Sequence, residues 1–258
     1  MYRKIMEYLK KWKESKYRKP LILQGARQVG KTYTALEFGR EYYENVAYFN
    51  FETNPSLNKT FDENITPDYL IPILSHIAGV TIVSEKTLIV FDEIQLCERA
   101  LTSLKYFCEN APQYHIIVAG SLLGVAVNRS TFSFPVGKVD IKTMYPMDIE
   151  EFMIAMGNKD LTEMIRKSFE SNAPMPAALH DICMQLYRQY LVVGGMPECV
   201  SLFAQTKDYV LVRHNQDTIL ASYLNDMSKY NNSLENYRDI DAFEDDKKIV
   251  PLYAAFYI

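Results

Sequence analysis

The 258-residue chain has few cysteines, few glycines and no long apolar run. The cysteines are Cys97, Cys108, Cys183 and Cys199. Because they form no C-x-x-C pair and have no regular spacing, we expect reduced thiols, with neither a disulfide framework nor a zinc site. No apolar stretch approaches the roughly 20 residues that cross a bilayer, and the charged N-terminus lacks the apolar core of a secretory signal. These absences predict a cytoplasmic protein without a membrane partner.

Charge is distributed unevenly in a chain whose formal net charge is −4. With a pI near 5.7, the chain as a whole is not a polycation built for nucleic acid. Residues 1–19 nevertheless hold eight lysines and arginines against two glutamates. A solvated helix face is the preferred interpretation of this cluster, and a contact with nucleic acid is the alternative.

One of the glycine-containing stretches is "LILQGARQVGKTYTA", residues 21–35. It contains the pattern G-x-x-x-x-G-K-[ST], whose backbone N–H groups cradle phosphates. In this pattern Lys31 reaches the β- and γ-phosphate oxygens, and the Thr32 hydroxyl is a ligand of Mg²⁺. The pattern follows an apolar strand and opens a helix, which is the context of a phosphate site. The predicted nucleotide-binding residues are Gly25, Ala26, Arg27, Gln28, Val29, Gly30, Lys31, Thr32 and Tyr33.

A second motif lies 61 positions beyond Lys31, where the apolar run "LIVF" is followed by Asp92 and Glu93. An aspartate at the carboxyl end of such a strand can hold Mg²⁺ together with Thr32. The neighbouring Glu93 can polarise a water toward the γ-phosphate, which predicts a catalytic role for it beside Lys31. Capping of the next helix is the alternative for this acidic pair.

Three further polar residues have open interpretations. Ser121 ends the run "IIVAGS" and is either a sensor of the γ-phosphate or a helix N-cap. Arg129, in "VNRSTFSFP", is either a surface residue or an arginine finger supplied to a neighbouring subunit. Asn50 either contacts Glu93 and holds it inactive or forms a strand-end turn.

Strand and helix patterns alternate through the first 145 residues. The predicted strands are residues 20–25, 46–52, 86–95, 114–121 and 136–144. Alternation of this kind predicts an α/β fold with a doubly wound parallel sheet. The segment "NPSLNKTFDENITP" is expected to be a polar loop. Residues 148–228 have a helical pattern without a convincing strand, which predicts an all-helical second unit.

These motifs resemble a family of bacterial and archaeal AAA-type ATP-binding proteins, whose ATPase domain precedes a nuclease-like domain of unknown function. The stretches that carry the resemblance are "WKESKYRKPLILQGARQVGKT", "LIVFDEIQ", "AGSLLGVAV", "SFPVGKVDIKTMYPMDIEEFM" and "YLVVGGMPECV". The resemblance implies a P-loop NTPase fold of the AAA/ASCE type with a C-terminal helical lid. It also implies ATP and Mg²⁺ as ligands, phosphate binding by residues 25–32, Asp92 and Glu93 as the Mg²⁺ and water-activating pair, and Ser121 as the sensor.

The expected organisation is an ATPase domain (1–145), a helical lid (146–230) and an acidic linker with a terminal apolar strand (231–258), a remnant of the family's C-terminal domain. The leading functional prediction is an ATPase that hydrolyses Mg-ATP to drive conformational change or assembly. A non-hydrolysing ATP-dependent switch or scaffold, for a protein or nucleic-acid partner, is the alternative. A small-molecule kinase would use the same loop, but Glu93 argues against it because such kinases keep water from the γ-phosphate. A homo-oligomer is an open expectation, and the sequence names no protein partner.

Overall fold

The computed structural model of the chain describes residues 1–120 and 135–234, with side chains as far as residue 225. The chain divides into two compact units. The sheet unit comprises Lys4–Ala26 and Gly30–Tyr145. The helical unit comprises Met1–Arg3, Arg27–Val29 and Pro146–Ile258.

Five parallel strands build the sheet unit. They are β1 (Leu21–Gln24), β2 (Asn45–Asn50), β3 (Thr87–Asp92), β4 (His115–Ala119) and β5 (Asp140–Thr143). Their order is β2-β3-β4-β1-β5, so the two strands that carry the motifs, β1 and β3, lie on either side of β4. The prediction of a parallel α/β sheet is confirmed.

Helices cover both faces of this sheet. They are α1 (Ile5–Glu14), α2 (Lys31–Tyr42), α3 (Leu57–Glu63), α4 (Pro67–Ala78) and α5 (Glu98–Asn110), with a 3-10 turn at Ile94–Leu96. Successive strand residues point to opposite faces. Accordingly Leu88 of β3 belongs to a cluster with Trp12 and Phe38 from α1 and α2. Phe91 of the same strand belongs to a second cluster with Leu104 of α5. A strand with apolar partners on both faces needs an unbroken apolar run, which is what β3 has.

The segment predicted as a polar loop contains α3, so that prediction is wrong. Leu57 and Phe61 of this helix are 1% and 0% exposed. They stand four positions apart and therefore lie on one face of the helix. The Phe61 ring is 5.9 Å from the Phe91 ring, centroid to centroid. Burial against the sheet stabilises a helix too short to persist alone, and this tertiary contribution is invisible in the local sequence.

Five helices form the described part of the helical unit, and the prediction of an all-helical C-terminal unit is confirmed. They are α6 (Ile149–Ala155), α7 (Lys159–Ser171), α8 (Ala177–Val193), α9 (Pro197–Thr206) and α10 (Tyr209–Leu234). The predicted terminal strand lies outside the described residues. Among the described helices, none has the length and apolar character required to span a membrane.

The break between α8 and α9 has a packing reason at Gly195. The backbone N–H of Met147 donates to the Gly195 carbonyl oxygen at 2.6 Å. A Cβ added at Gly195 would lie 2.2 Å from the Met147 carbonyl oxygen, which is too close for any other residue. The two segments therefore touch backbone to backbone, and the "VGGMP" stretch is explained by this approach.

Arg3 is buried in the helical unit, so the expectation of a solvated basic cluster is wrong at this residue. Its side chain is 8% exposed, and its Nε atom lies 3.3 Å from Oε1 of Glu151. Nη1 of Arg3 also donates to the Val29 carbonyl oxygen at 2.9 Å. Glu151 forms a capping box with Asp148 at the start of α6, so the ion pair is anchored on a fixed helix terminus.

Candidate nucleotide site

The two motifs meet at the C-terminal ends of the parallel strands, which we call the carboxyl edge of the sheet. In the strand register Leu23 pairs with Ala119, which also pairs with Asp92. Asp92 in turn pairs with Asn50 on the next strand. The glycine loop begins directly after β1, so loop, acidic pair and Asn50 all arise at one edge. In open parallel sheets, ligands bind at this edge.

The start of the glycine loop is held close to β5. A Cβ at Gly25 would lie 2.1 Å from the Met144 carbonyl oxygen, and the Gly25 φ is +145°. Only glycine fits both conditions. Lys31 is the first residue of α2 and is 7% exposed. Its Nζ donates to the carbonyl oxygens of Gly25 and Ala26, at 3.0 and 2.7 Å. The ammonium group is thus folded over the loop that is predicted to hold phosphate.

The remaining predicted loop residues occupy different settings. Arg27, Gln28 and Val29 group with the helical unit, and Gln28 has a left-handed backbone (φ 65°). Val29 is fully buried, whereas Tyr33 on the first turn of α2 is 55% exposed. Contact between these residues and a nucleotide stays a prediction.

Thr32 and Asp92 are in direct contact. The Thr32 hydroxyl donates to Oδ1 of Asp92 at 3.0 Å. The other carboxylate oxygen accepts from the Tyr48 hydroxyl at 2.8 Å and from the Asn50 amide at 3.4 Å. Desolvation raises the pKa of Tyr48 to about 12, so the phenol keeps its hydrogen and donates at neutral pH. A hydroxyl beside a carboxylate is an all-oxygen donor set, which suits a magnesium ion.

Glu93 follows at the end of the strand in an unusual backbone conformation. Its φ is +53°, in the left-handed region that non-glycine residues seldom adopt. The backbone N–H of Glu93 donates to the Ala119 carbonyl oxygen at 3.0 Å. Its carboxylate accepts a hydrogen bond from the Gln95 side-chain amide. The turn after β3 therefore directs the Glu93 carboxylate to a defined partner.

The pKa of the Glu93 carboxyl is raised above its usual range. Burial is the largest cause, and the charges of Asp92 and Glu52 act in the same direction. The hydrogen bond from Gln95 and the charge of Lys31 lower the pKa and oppose the shift. A carboxylate with a raised pKa is a better proton acceptor near neutral pH, which suits a general base.

A protein family described as an AAA domain matches residues 17–153, more than half of the chain. The chain belongs to this AAA family. A further match, over residues 184–245, is to a domain of unknown function. No curated protein matches the chain. The resemblance to AAA-type ATP-binding proteins is confirmed, and membership supports nucleotide binding.

Several solved structures are similar to this AAA chain at low identity. PCH-2 of Caenorhabditis elegans has a TM-score of 0.41 and 13% identity, over 80% of this chain and 62% of that one. A RuvB variant of Thermotoga maritima has a TM-score of 0.36 and 14% identity, over 73% and 69%. The replication initiator DnaA, bound to AMPPCP and single-stranded DNA, has a TM-score of 0.41 and 14% identity, over 82% and 63%. The chain thus spans less than two thirds of PCH-2 and of DnaA.

The sequence analysis did not identify two residues that contact the candidate site, Tyr48 and Gln95. Tyr48 stands two positions before Asn50 on β2, so strand alternation places both side chains on the same face. Gln95 lies two positions after Glu93, inside the motif "LIVFDEIQ". Spacing could have identified Tyr48, whereas the contact of Gln95 depends on the left-handed turn at Glu93.

The open interpretations of Asn50 can be compared with its contacts. Its side-chain oxygen accepts from the backbone N–H groups of Glu52 and Thr53, each at 2.9 Å. Its amide donates to Tyr48 and Asp92. These contacts match the strand-end turn. Ser121 and Arg129 lie outside the described residues, so their roles stay predictions.

Proposed function

We propose that this AAA chain binds Mg-ATP at residues Gly25–Tyr33 and hydrolyses it, with Glu93 as the general base. The observation that carries the proposal is the hydrogen bond between Thr32 and Asp92, which are 60 positions apart in sequence. It joins the glycine loop to the acidic pair at the edge of the sheet where ligands bind. Neither motif alone requires this juxtaposition.

Each residue has a defined part in the proposed reaction. Lys31 transfers its hydrogen bonds from loop carbonyls to phosphate oxygens, where charge makes them stronger. Thr32 and Asp92 would hold Mg²⁺, which neutralises charge on the phosphates when bound. Glu93 accepts a proton from the attacking water, because its raised pKa lies nearer the working pH.

We propose that hydrolysis drives a conformational change or the assembly of copies of the chain. The helical lid formed by residues 146–230 is the part that would respond to the nucleotide state. Ser121 is proposed as the sensor of the γ-phosphate. Arg129 is proposed as a finger for a neighbouring copy in a homo-oligomer. An arginine supplied in this way accelerates phosphoryl transfer by ~10³–10⁵-fold.

A non-hydrolysing, ATP-dependent switch is the second candidate, and the Gln95 contact favours it. The amide of Gln95 already occupies an oxygen of the proposed base. In this candidate the contact would hold the carboxylate away from the attacking water until it breaks. In that case the output would be the binding of a protein or nucleic-acid partner and not turnover.

Steady-state phosphate release separates the two candidates. If Glu93 is the base, Glu93→Gln should slow hydrolysis by about 10²–10⁴-fold, the usual contribution of a general base, while ATP stays bound. Glu52→Gln is the matched control, because it removes a nearby carboxylate without removing the base, and it should stay close to wild type.

Three outcomes would change the proposal. Wild-type activity equal to buffer at every protein concentration would favour the switch. Loss of ATP binding in Glu93→Gln would make Glu93 structural. Activity that rises more than linearly with protein concentration would support a finger from a neighbouring subunit, and Arg129 would be the first residue to substitute.

A further inference from the structure

A cavity of about 580 Å³ opens in the sheet unit, at the N-terminal ends of the strands, which we call the amino edge of the sheet. Its lining residues are Lys13, Glu14, Ser15, Lys16, Arg18, Glu85, Pro112, Gln113 and His115. His115 is the first residue of β4, whereas Ala119 at the other end of that strand pairs with Asp92. Four steps of about 3.3 Å separate these ends, or about 13 Å. The cavity is therefore at the opposite edge from the proposed nucleotide site.

Two lining residues each have a buried nitrogen that is not hydrogen-bonded. Within the described part of the chain, Nε of Arg18 and Nε2 of His115 are inaccessible and have no hydrogen-bond partner. The His115 side chain as a whole is 3% exposed. Leaving a buried polar group unsatisfied is unfavourable, so such groups need a reason. Two of them at one cavity point to a missing acceptor.

The other nitrogens of Arg18 are already engaged. Nη1 donates to the Lys13 carbonyl oxygen at 2.7 Å, and Nη2 donates to the Pro112 carbonyl oxygen at 3.3 Å. These bonds engage both Nη atoms and leave Nε as the guanidinium nitrogen without a partner among the described residues. A guanidinium group cannot accept a hydrogen bond, so the complementary group must be an acceptor.

The imidazole of His115 can supply a second donor. Burial, followed by the charges of Arg18 and Lys13, lowers the pKa of His115 to about 3, so the ring is neutral and has one N–H. The Tyr43 oxygen lies 2.6 Å from Nδ1. Burial raises the pKa of Tyr43, which keeps the phenol protonated and able to donate to Nδ1. When Tyr43 donates to Nδ1, the ring hydrogen is on Nε2, the atom without a described partner, and the reverse tautomer makes Nε2 an acceptor.

The charges around the cavity favour a ligand with a single negative charge. Lys13, Lys16 and Arg18 contribute three positive charges, and Glu14 and Glu85 contribute two negative charges. The balance is +1, which one carboxylate neutralises and a phosphate dianion exceeds. The volume lies in the 300–1,000 Å³ range of small-molecule sites.

We propose that this cavity is a binding site for a small-molecule carboxylate, and that its binding turns Nε of Arg18 and Nε2 of His115, which are inaccessible in the ligand-free chain, toward the carboxylate oxygens. Lys16, an exposed lining residue, adds a flexible positive charge. The site is separate from the nucleotide site and independent of whether ATP is hydrolysed.

Trp12 provides a direct readout, because it is the single tryptophan of the chain. Its ring lies 6.1 Å from the His115 ring and 6.0 Å from the Arg18 guanidinium carbon. We would titrate the full chain with sodium acetate at constant ionic strength, with Mg-ATP present throughout, and follow the fluorescence of Trp12. A saturable change with acetate, absent with chloride, is expected.

Matched lysine variants test whether the signal arises from the cavity. Lys16→Gln removes a lining charge, and Lys11→Gln removes an exposed charge on α1 that does not line the cavity. The acetate midpoint should rise about two- to five-fold in Lys16→Gln, the effect of one exposed charge interaction. It should not change in Lys11→Gln. His115→Phe keeps a ring and removes the donor, and should raise the midpoint by about ten-fold.

Three results would overturn the proposal. One is the absence of a saturable change with acetate in the wild-type chain. Another is an equal midpoint in the Lys16 and Lys11 variants, which would place binding elsewhere. The third is tighter binding of inorganic phosphate than of acetate, which would replace the carboxylate by a phosphate group. Because the lysine pair is exposed, these results do not depend on whether His115→Phe folds.

Discussion

The two edges of the parallel sheet satisfy their polar groups in opposite ways. At the carboxyl edge, both oxygens of Asp92 accept hydrogen bonds from protein groups, including Thr32 and Tyr48. At the amino edge, Arg18 and His115 each have a buried nitrogen without a hydrogen-bond partner in the described part of the chain. At one edge the protein supplies donors to the carboxylate oxygens, and at the other edge two buried nitrogens have no hydrogen-bond partner in the described part of the chain.

The difference follows from what each edge is built to receive. Carboxylates paired with hydroxyl groups can exchange those partners for a metal ion, so the proposed nucleotide site is held together in the absence of ligand. The unpartnered Nε–H of Arg18 has no such exchangeable partner among the described residues. A guanidinium group cannot accept a hydrogen bond, so an acceptor alone would satisfy it. Three substitutions, besides those proposed above, would break or sharpen this comparison.

The largest effect is expected at the carboxyl edge from Lys31→Ala. A charged hydrogen bond to phosphate contributes roughly 1.5–3 kcal/mol, so ATP binding should weaken about ten- to a hundred-fold. Thermal shift measures this, because ligand at ~100 times its Kd adds about 2.7 kcal/mol of stability. Lys11→Ala is the control and should keep the full shift. Equal ATP-induced shifts in Lys31→Ala and wild type would contradict the assignment of the loop.

The next effect is a loss of stability in acid that originates at the amino edge. Above pH 6.5, His115 is neutral in both the folded and the unfolded chain and contributes nothing to the pH dependence. Because its folded pKa is about 3, the unfolded chain alone takes up the proton as the pH falls from 6.5 toward 3. The free energy of unfolding should decrease by up to about 1.4 kcal/mol per pH unit in that window.

His115→Gln tests this dependence, since glutamine does not titrate and can still accept from Tyr43. Urea unfolding at pH 7 and pH 5 gives the difference for each protein. We expect a smaller difference for the variant than for wild type, whatever its stability at pH 7. The same difference in both proteins would show that His115 is not the source.

The smallest effect concerns the contact between Gln95 and Glu93. If this hydrogen bond withholds the base, Gln95→Ala should raise basal hydrolysis by about two- to ten-fold, the equivalent of one hydrogen bond. The bond lowers the pKa of Glu93, so its removal should move the acid limb of the rate profile to higher pH. Phosphate release measured from pH 5 to 8 reports both changes. A lower rate would mean that Gln95 places Glu93 for catalysis and does not restrain it.

The sequence was informative wherever the signal was local. The glycine loop, the apolar run before Asp92 and the helical periodicity after residue 148 each depend on neighbours a few positions away. Such patterns predicted the parallel sheet and the helical unit, and the resemblance carried by the motifs predicted membership of the AAA family; all three predictions are confirmed. They also named Thr32 and Asp92, which lie in direct contact.

The sequence failed where burial overrides local polarity. The segment of α3 was predicted to be a loop because most of its residues are polar, yet Leu57 and Phe61 pack against the sheet. Arg3 was expected to belong to a solvated basic surface, yet it is buried against Glu151, 148 positions away. In both cases the deciding partner is distant in sequence, so no local pattern could indicate it.

By itself the sequence determined the fold class and the chemical kind of each motif, because glycine freedom, apolar periodicity and strand-end carboxylates act within short stretches. Only the tertiary structure decided which groups meet. The strand order places β4 between β1 and β3, and the register then aligns Asp92 with the glycine loop at one edge. The same order gathers Arg18 and His115 around one cavity at the other edge. Hydrogen bonds need atoms within about 3 Å, and only the packed sheet brings residues so far apart in the chain to that distance.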